Sequence, residues 1–314
     1  MLIYNILAFV IFCFILVKSS GYAAKHSILI AKHFRISGFV VSLLIMGILS
    51  TLPETSVSII SSIKGSSEIG FGTLIGSNIA DLTIILGIVA LTAKKLKIKS
   101  KLVIHESWFI MLTLLPFIFV FDGVLDRGDG ILLIISSFVF FHHIFKERRL
   151  ANKIIENHNH NSEIGYSIVI TLLNIILLIA SAYFVVYFTK MLSLDLYVPP
   201  IIIASIFIAL GTCLPELLFS IQSIKLNQDE LALGDIIGNV IIDATLALGI
   251  TAVISPIFVS GYISALYSLF TFGSVAMLIA FLKIRQSINI TDSLVMIFYY
   301  IIFVFADIII KSVL

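Results

Sequence analysis

Apolar residues gather along this chain in long stretches divided by short polar connections. A run of about 18 or more apolar residues is long enough to cross a bilayer as a helix. Ten such runs are read here, over residues 2–18, 37–63, 69–93, 102–121, 129–146, 165–189, 197–224, 231–254, 260–282 and 291–311. No connection between them is long enough to hold a soluble domain. The pattern predicts an all-α polytopic membrane protein of ten transmembrane helices. The run at 2–18 has no basic residues ahead of it, so it reads as a retained first helix and not a cleaved signal.

The second and seventh runs are interrupted in the same way. Ser50-Thr51-Leu52-Pro53-Glu54 lies inside one, and Thr212-Cys213-Leu214-Pro215-Glu216 inside the other. Each brings a proline, a carboxylate and small polar groups into membrane interior, where a carboxylate is costly and marks function. The likeness continues at a fixed offset of 162 residues. Leu52, Pro53 and Glu54 match Leu214, Pro215 and Glu216; Gly72 and Gly76 match Gly234 and Gly238; Asp81 and Thr83 match Asp243 and Thr245. Isoleucine and leucine match by chance in so apolar a chain. A Pro-Glu pair, two glycines and an aspartate in one register do not.

Five spans separate the two copies, an odd number, so the copies cross the membrane in opposite directions. The chain therefore divides into two inverted five-helix repeats: 1–150, with motif helices over 37–93, and 151–314, with motif helices over 197–254. Inverted repeats with broken helices and a midplane site belong to secondary transporters.

Charge placement agrees. With the N-terminus outside, inner connections hold 16 of the 20 Lys and Arg, in clusters at Lys18–Arg35, Lys94–Lys101 and Lys146–Lys153 and at Lys225, Lys283 and Arg285. The outer side keeps Lys64, Arg127, Lys190 and Lys311. The positive-inside rule then sets both termini outside. Only 12% of the 314 residues are charged, against about a quarter in a soluble domain. A net charge of +2 gives no ground for a nucleic-acid partner. Cys13 and Cys213 both sit in apolar runs and offer neither a disulfide framework nor a CxxC metal site.

The chemistry follows from the interruptions. Pro53 and Pro215 lack an N–H, which frees the carbonyls of Leu49 and Gly211 from their helical partners. Such groups persist in a membrane only beside protein or a wet cavity. Asp81 and Asp243 fall about twelve residues from the ends of their spans, near the midplane at about 1.5 Å of rise per residue. Ser50, Thr51, Thr212, Ser77, Asn78 and Asn239 add neutral oxygens. Carboxylate, carbonyl, hydroxyl and amide oxygens together make a hard-cation site. No Lys or Arg lies within these four spans, so cations or protons must neutralise Glu54, Glu216, Asp81 and Asp243. Gly70, Gly72, Gly76, Gly234 and Gly238 suit close helix packing. Prolines and glycines serve packing alone in many membrane helices; duplication of the whole set argues against that here.

Other polar groups read as peripheral. Asp307 pairs with Lys311 one turn later, snorkelling at the outer end of the last span. Glu106, His142 and His143 read as interfacial, residues 156–161 as a solvated loop, and Cys213 as a core thiol.

The paired motifs resemble the α-repeats of the calcium/cation antiporter superfamily, which includes the sodium/calcium exchangers. The family pattern is approximately G-T-S-x-P-E, then G-N-x-x-G-S-N-I-x-N/D. The first copy here reads Leu49-Ser50-Thr51-Leu52-Pro53-Glu54, then Gly72-Thr73-Leu74-Ile75-Gly76-Ser77-Asn78-Ile79-Ala80-Asp81. The second reads Gly211-Thr212-Cys213-Leu214-Pro215-Glu216, then Gly234-Asp235-Ile236-Ile237-Gly238-Asn239-Val240-Ile241-Ile242-Asp243. The resemblance implies a central calcium site between Glu54 and Glu216, closed by carbonyls near Ser50 and Thr212, with Asp81 and Asp243 completing its middle. It implies two flanking sodium sites, one from Thr51, Ser77 and the Gly47 carbonyl, the other from Cys213, Asn239 and the Ala209 carbonyl. Cys213 departs from the pattern with a soft thiol in place of a hydroxyl, Asn239 stands for a serine and Val240 for an amide. Asp81 stands where sodium/calcium members often carry Asn, and the extra carboxylate suits a proton or potassium.

The expected function is a secondary active antiporter of the cell membrane, not an enzyme, that exchanges Ca²⁺ for Na⁺ by alternating access. By resemblance, spans 1 and 6 are its sliding elements. Its partners are the transported cations and the bilayer; it calls for no cofactor, no nucleic acid and no oligomer. Ca²⁺/H⁺ exchange is the alternative, because packed carboxylates hold protons between them. An intramembrane aspartyl enzyme using Asp81 and Asp243, or a passive cation channel, stands further off. Aspartyl catalysis has no use for two Pro-Glu breaks.

Overall fold

The computed structural model describes residues 2–33, 50–97, 107–148, 164–225 and 229–310. Gly47, Leu49, Glu106, residues 156–161 and Lys311 lie outside them. The first half holds α1 (Leu2–His33), α2 (Leu52–Ile63) and α3 (Ser67–Ala80), which passes through a π-turn at Asp81–Ile85 into α4 (Leu86–Ala93). A strand β1 (Lys95–Lys97), a 3₁₀ stretch (Ser107–Leu114), α5 (Leu115–Phe119), a strand β2 (Val124–Leu125) and α6 (Arg127–Arg148) follow. The second half begins with α7 (Ile164–Leu196). Then come α8 (Pro200–Ile203), a π-turn at Ala204–Ile208, α9 (Ala209–Thr212), α10 (Leu214–Lys225) and α11 (Asp229–Ile242). A π-turn at Asp243–Ala247 leads into α12 (Leu248–Ile254), β3 (Ile257–Phe258), α13 (Gly261–Ala280), β4 (Ser287–Asn289) and α14 (Ile290–Ile310).

Seven helical segments among the described residues are long and apolar enough to cross a membrane: Leu2–Ala23, Ser67–Ala93, Gly165–Leu196, Pro200–Lys225, Ala232–Ile254, Gly261–Arg285 and Ile290–Ile309. The shorter apolar stretch Phe109–Asp122 and α6 occupy the fourth and fifth predicted runs. The second run is described only from Ser50 on. The described residues thus give an all-helical membrane architecture with seven clear spans, not the full ten.

The offset of 162 residues reappears in the backbone. α2 and α10, α3 and α11, the two π-turns led by Asp81 and Asp243, and α4 and α12 each begin at matching positions. Pro53 and Pro215 do not sit inside a continuous helix, which the freed Leu49 and Gly211 carbonyls presuppose. The helix stops for one residue, and Pro53 falls in the first turn of the new helix α2. A missing N–H is harmless there, because the first-turn donors have no intrahelical partner anyway.

Two β-ribbons, absent from the sequence reading, tie the halves together. β1 pairs antiparallel with β4, with Lys95 opposite Asn289, and β2 with β3, with Val124 opposite Phe258. The pairing is reciprocal: the strand after the motif helices of each half joins the strand between the last two predicted spans of the other.

Burial sorts the helices. In Ser67–Ala93 and Ala232–Ile254, 83% and 78% of the apolar window is inside the protein, against 28% for both Leu2–Ala23 and Gly165–Leu196. The motif helices therefore form the centre, and α1 and α7 line its flank. Those two run antiparallel. Asn5 donates from Nδ2 to Asp195 Oδ2 at 2.7 Å near one end, and His26 Nδ1 lies 3.3 Å from Ser167 Oγ near the other. Phe12 stacks on Phe184 between these points, with centroids 4.4 Å apart. At the end of α2, Lys64 donates to the Tyr183 carbonyl at 3.2 Å, and Lys190 reaches the Lys64 carbonyl at 3.4 Å. Partial burial, and then the Lys190 charge, lower the Lys64 ammonium from its ordinary range. These two outer-side lysines of the sequence reading meet at one end of the bundle.

Candidate functional site

The two helix breaks are local copies of each other. Thr51 has φ −79° and ψ 2°, and Cys213 has φ −74° and ψ −3°. Glu54 and Glu216 then sit in the first turn of α2 and α10. Unpaired N–H groups and the helix dipole favour a negative charge there. Asp81 and Asp243 open the two π-turns. A π-turn inserts a residue into the helical ladder, redirects the side chains around it, and recurs at functional sites.

The side chains from the two breaks interlock. The Ser50 hydroxyl donates to Asn239 Oδ1 at 2.6 Å, and Ser77 Oγ to Asp243 Oδ2 at 3.2 Å. The Cys213 thiol reaches the Ser77 carbonyl at 3.8 Å. Ser58 and Thr251 join by their hydroxyls in a further link between the halves. Each of these contacts crosses from one repeat to the other, so neither half makes the site alone.

Glu54, Glu216 and Asp81 are each 2% exposed and Asp243 1%. Glu54 and Asp81 each lie within electrostatic reach of the other three. Glu54 Oε2, Asp81 Oδ1, Glu216 Oε2 and Asp243 Oδ1 have no hydrogen-bond partner among the described residues, nor have both polar atoms of Asn78. Buried polar atoms are nearly always paired, so these unpartnered oxygens point to an absent ligand. The acids are gathered but not clenched: among the described residues, no three His, Cys, Asp or Glu side chains are placed to hold one metal ion.

Other expectations fare unevenly. The Ala209 carbonyl accepts both the Cys213 N–H at 3.1 Å and the Thr212 hydroxyl at 3.0 Å, which occupies both its lone pairs. Gly47 lies outside the described residues. Gly72 and Gly76 do serve close packing: a Cβ on them would fall 2.5 Å from the Ile201 carbonyl oxygen and 2.3 Å from that of Ser205. For Gly234 and Gly238 no described atom comes within 4 Å of that point. The residues that match Ile201 and Ser205 in the first repeat, at 39 and 43, are outside the described set.

Two carboxylates that the sequence reading leaves out of the centre belong to the interior. Asp235 is 9% exposed, and neither of its oxygens has a partner among the described residues. It lies one and two turns before Asn239 and Asp243, on their face of α11, and that spacing was the signal for it. Asp307 is fully buried, with the Ser205 hydroxyl 2.5 Å and the Tyr267 hydroxyl 3.2 Å from its Oδ2. The expected snorkelling pair with Lys311 is therefore overturned for Asp307. Its side chain turns inward because two hydroxyls from neighbouring helices meet it there.

A family model described as sodium/calcium exchanger protein matches residues 4–145 and 166–309. The protein CaxA of Alkalimonas amylolytica is 29% identical over 236 residues, which is 72% of this chain and 73% of that one. The sodium/calcium exchanger MaX1 of Methanosarcina acetivorans is 26% identical over 306 residues, 83% of this chain and 86% of its own. Among solved structures, the sodium-calcium exchanger NCX_Mj, soaked with sodium and strontium, superposes with a TM-score of 0.66 at 25% identity. The match covers 96% of this chain and 98% of that one. The family model spans both halves, and the likeness to NCX_Mj covers 96% of the chain: this chain belongs to the sodium/calcium exchanger protein family.

Proposed function

We propose that this protein is a secondary active antiporter of the cell membrane that exchanges Ca²⁺ for Na⁺ by alternating access. One observation carries the reading: four buried carboxylates from both repeats each keep an oxygen without a partner among the described residues, with no Lys or Arg in the spans that hold them. Uncompensated, such charges are strongly unfavourable in a membrane. A hard divalent cation with about six to eight oxygen ligands answers them. Glu54 and Glu216 hold Ca²⁺ from opposite sides, with Asp81 and Asp243 between them. Thr51, Ser77 and the Gly47 carbonyl form one flanking sodium site, and Cys213 and Asn239 the other, which the Ala209 carbonyl joins when the Thr212 hydroxyl bonds the Ile208 carbonyl alone.

Ca²⁺ and Na⁺ compete for the same carboxylates, so one loads as the other leaves. The interlocked hydroxyls and carboxylates keep the site whole while its access changes. α1 and α7 are the moving pair. Apolar residues of both (Phe9, Leu16, Val185 and Phe188) pack with Val57, Ile69 and Ile208 of the centre in a cluster distinct from the main core, a surface suited to sliding. The two ribbons support ten spans with both termini on one side, since β1 meets β4 across six predicted crossings and β2 meets β3 across four.

Ca²⁺/H⁺ exchange is the second reading. Cys213 favours it, because a thiol facing Asp81 is a poor sodium ligand and leaves a carboxylate for a proton. Radiolabelled calcium flux into proteoliposomes under imposed sodium or proton gradients decides between them. Sodium-driven movement is expected. Movement driven by protons alone transfers the conclusion to the second reading, and no gradient-driven movement of either kind rejects antiport. Uptake that needs no counter-ion points to a passive pore.

A further inference from the structure

Asp307 lies outside the four-acid centre, and its surroundings define its proton state. The carboxyl is 0% exposed. Ser205 Oγ is 2.5 Å and the Tyr267 hydroxyl 3.2 Å from its Oδ2, while Oδ1 has no hydrogen-bond partner among the described residues. The titratable groups facing it are Tyr267 from α13 and Tyr300 from its own helix, with Asp81 and Cys213 beyond Tyr300. The π-turn on the other side supplies only Ser205. No described lysine or arginine pairs with Asp307.

The Ser205 contacts favour a protonated Asp307. Its hydroxyl also sits 3.0 Å from the Ile202 carbonyl, and it has one proton for two acceptors. If Asp307 carries a proton, every donor finds one acceptor: the carboxyl O–H donates to Ser205 Oγ, and the Ser205 O–H donates to Ile202. If Asp307 is ionised, the Ile202 bond is lost or the short contact has no hydrogen in it. A charge is then left buried without a cationic partner among the described residues, which is strongly disfavoured. The contact of 2.5 Å is at the short end of the range for O–H···O bonds, as a carboxyl donor makes it.

Ser205 also touches the centre. The backbone of its π-turn lies so close to Gly76 that a Cβ there would fall 2.3 Å from the Ser205 oxygen and 2.6 Å from its Cα. The next residue, Ser77, has its Oγ 3.2 Å from Asp243 Oδ2. The device has no copy in the first repeat, where the positions matching Ser205, Tyr267 and Asp307 are Leu43, His105 and Phe145.

We infer that Asp307, Ser205 and Tyr267 form a proton-binding site distinct from the four-acid centre, and that the proton on Asp307 sets the cation affinity of that centre through the contact of Ser205 with Gly76. The site stands independently of the exchange reading; its effect on the centre rests on that reading.

Infrared difference spectroscopy of reconstituted protein, at neutral pH in saturating calcium, tests the site. Wild type minus Asp307→Asn is expected to show a lost carbonyl band of a protonated carboxyl. Tyr267→Phe and Ser205→Ala are expected to shift that band by changing its hydrogen bonds. A difference spectrum containing only ionised-carboxylate bands overturns the proposal. If Asp307→Asn does not fold, the two shifts decide, and a band unmoved by both overturns it. Calcium titration of the purified protein between neutral and alkaline pH tests the coupling: the affinity gain should be several-fold smaller in Asp307→Asn than in wild type. Equal gains overturn the coupling. A wild type without calcium flux fails the exchange reading and leaves the infrared result standing.

Discussion

Thr51 and Cys213 stop their helices in the same backbone conformation, with ψ of 2° and −3°, yet one offers a hydroxyl and the other a thiol. The scaffold is duplicated, while the ligand chemistry is not. Sodium prefers the hydroxyl oxygen. Cys213→Thr is therefore expected to lower the sodium concentration for half-maximal calcium flux about five-fold, or about 1 kcal/mol. Flux from proteoliposomes over a sodium series measures it. An unchanged half-saturation removes Cys213 from the sodium path.

Glu54 and Glu216 should be the least replaceable residues in the protein. Each is 2% exposed and keeps one oxygen without a partner among the described residues. Removing one member of a desolvated charge pair costs on the order of 2–5 kcal/mol. Glu54→Gln or Glu216→Gln should thus weaken calcium binding by roughly 30-fold or more. Calcium should also raise the unfolding temperature of the wild type, since it binds the folded state alone. That rise should vanish in both variants and on chelation. A glutamine variant with the full calcium shift would show that the glutamates are not ligands.

The central acids were legible because two constraints act on sequence directly: a membrane interior that excludes carboxylates, and a duplication that repeats them. The matching starts of α2 and α10, and of α3 and α11, follow from the same register. What stayed hidden depends on how helices rotate against each other. Asp307 reads in sequence as a neighbour of Lys311, because i, i+4 spacing is visible there and the approach of Ser205 and Tyr267 from other helices is not. The π-turns at Asp81 and Asp243 left no signal in residue type, and strands as short as Val124–Leu125 have too few residues to show a period. Asp235 stands in the repeat opposite Thr73 rather than another acid, so the duplication does not mark it.

Gly76 and Gly165 give a test of packing. A Cβ on Gly76 would press into the Ser205 backbone at 2.3 Å, whereas nothing described lies within 4 Å of one on Gly165. Backbone cannot swing aside as a side chain can, so the helices must part. Gly76→Ala should destabilise the protein by about 1–3 kcal/mol or more. Gly165→Ala, within α7, should be neutral or slightly stabilising because alanine favours the helix. Thermal unfolding of both purified variants compares them directly. Equal midpoints would mean that α3 and the Ala204–Ile208 turn do not touch as described.

The ribbons make the topology testable at single residues. Lys95 stands opposite Asn289 and Val124 opposite Phe258. Paired strands hold opposite Cα atoms about 4.5–5.5 Å apart, within reach of a disulfide. Lys95→Cys with Asn289→Cys should therefore cross-link on mild oxidation, and so should Val124→Cys with Phe258→Cys. The natural thiols interfere little, since Cys213 is fully buried and Cys13 lies within α1. Sidedness follows from the ten-span reading. A membrane-impermeant thiol reagent should reach the first pair only from the inner face, where Lys94–Lys101, Lys283 and Arg285 gather, and the second pair only from the outer face. Both pairs labelled from one face would break the parity on which the inverted repeat depends. Cross-linking with opposite sidedness would tie each half of the chain to the other on both faces of the membrane, as two inverted copies around one site require.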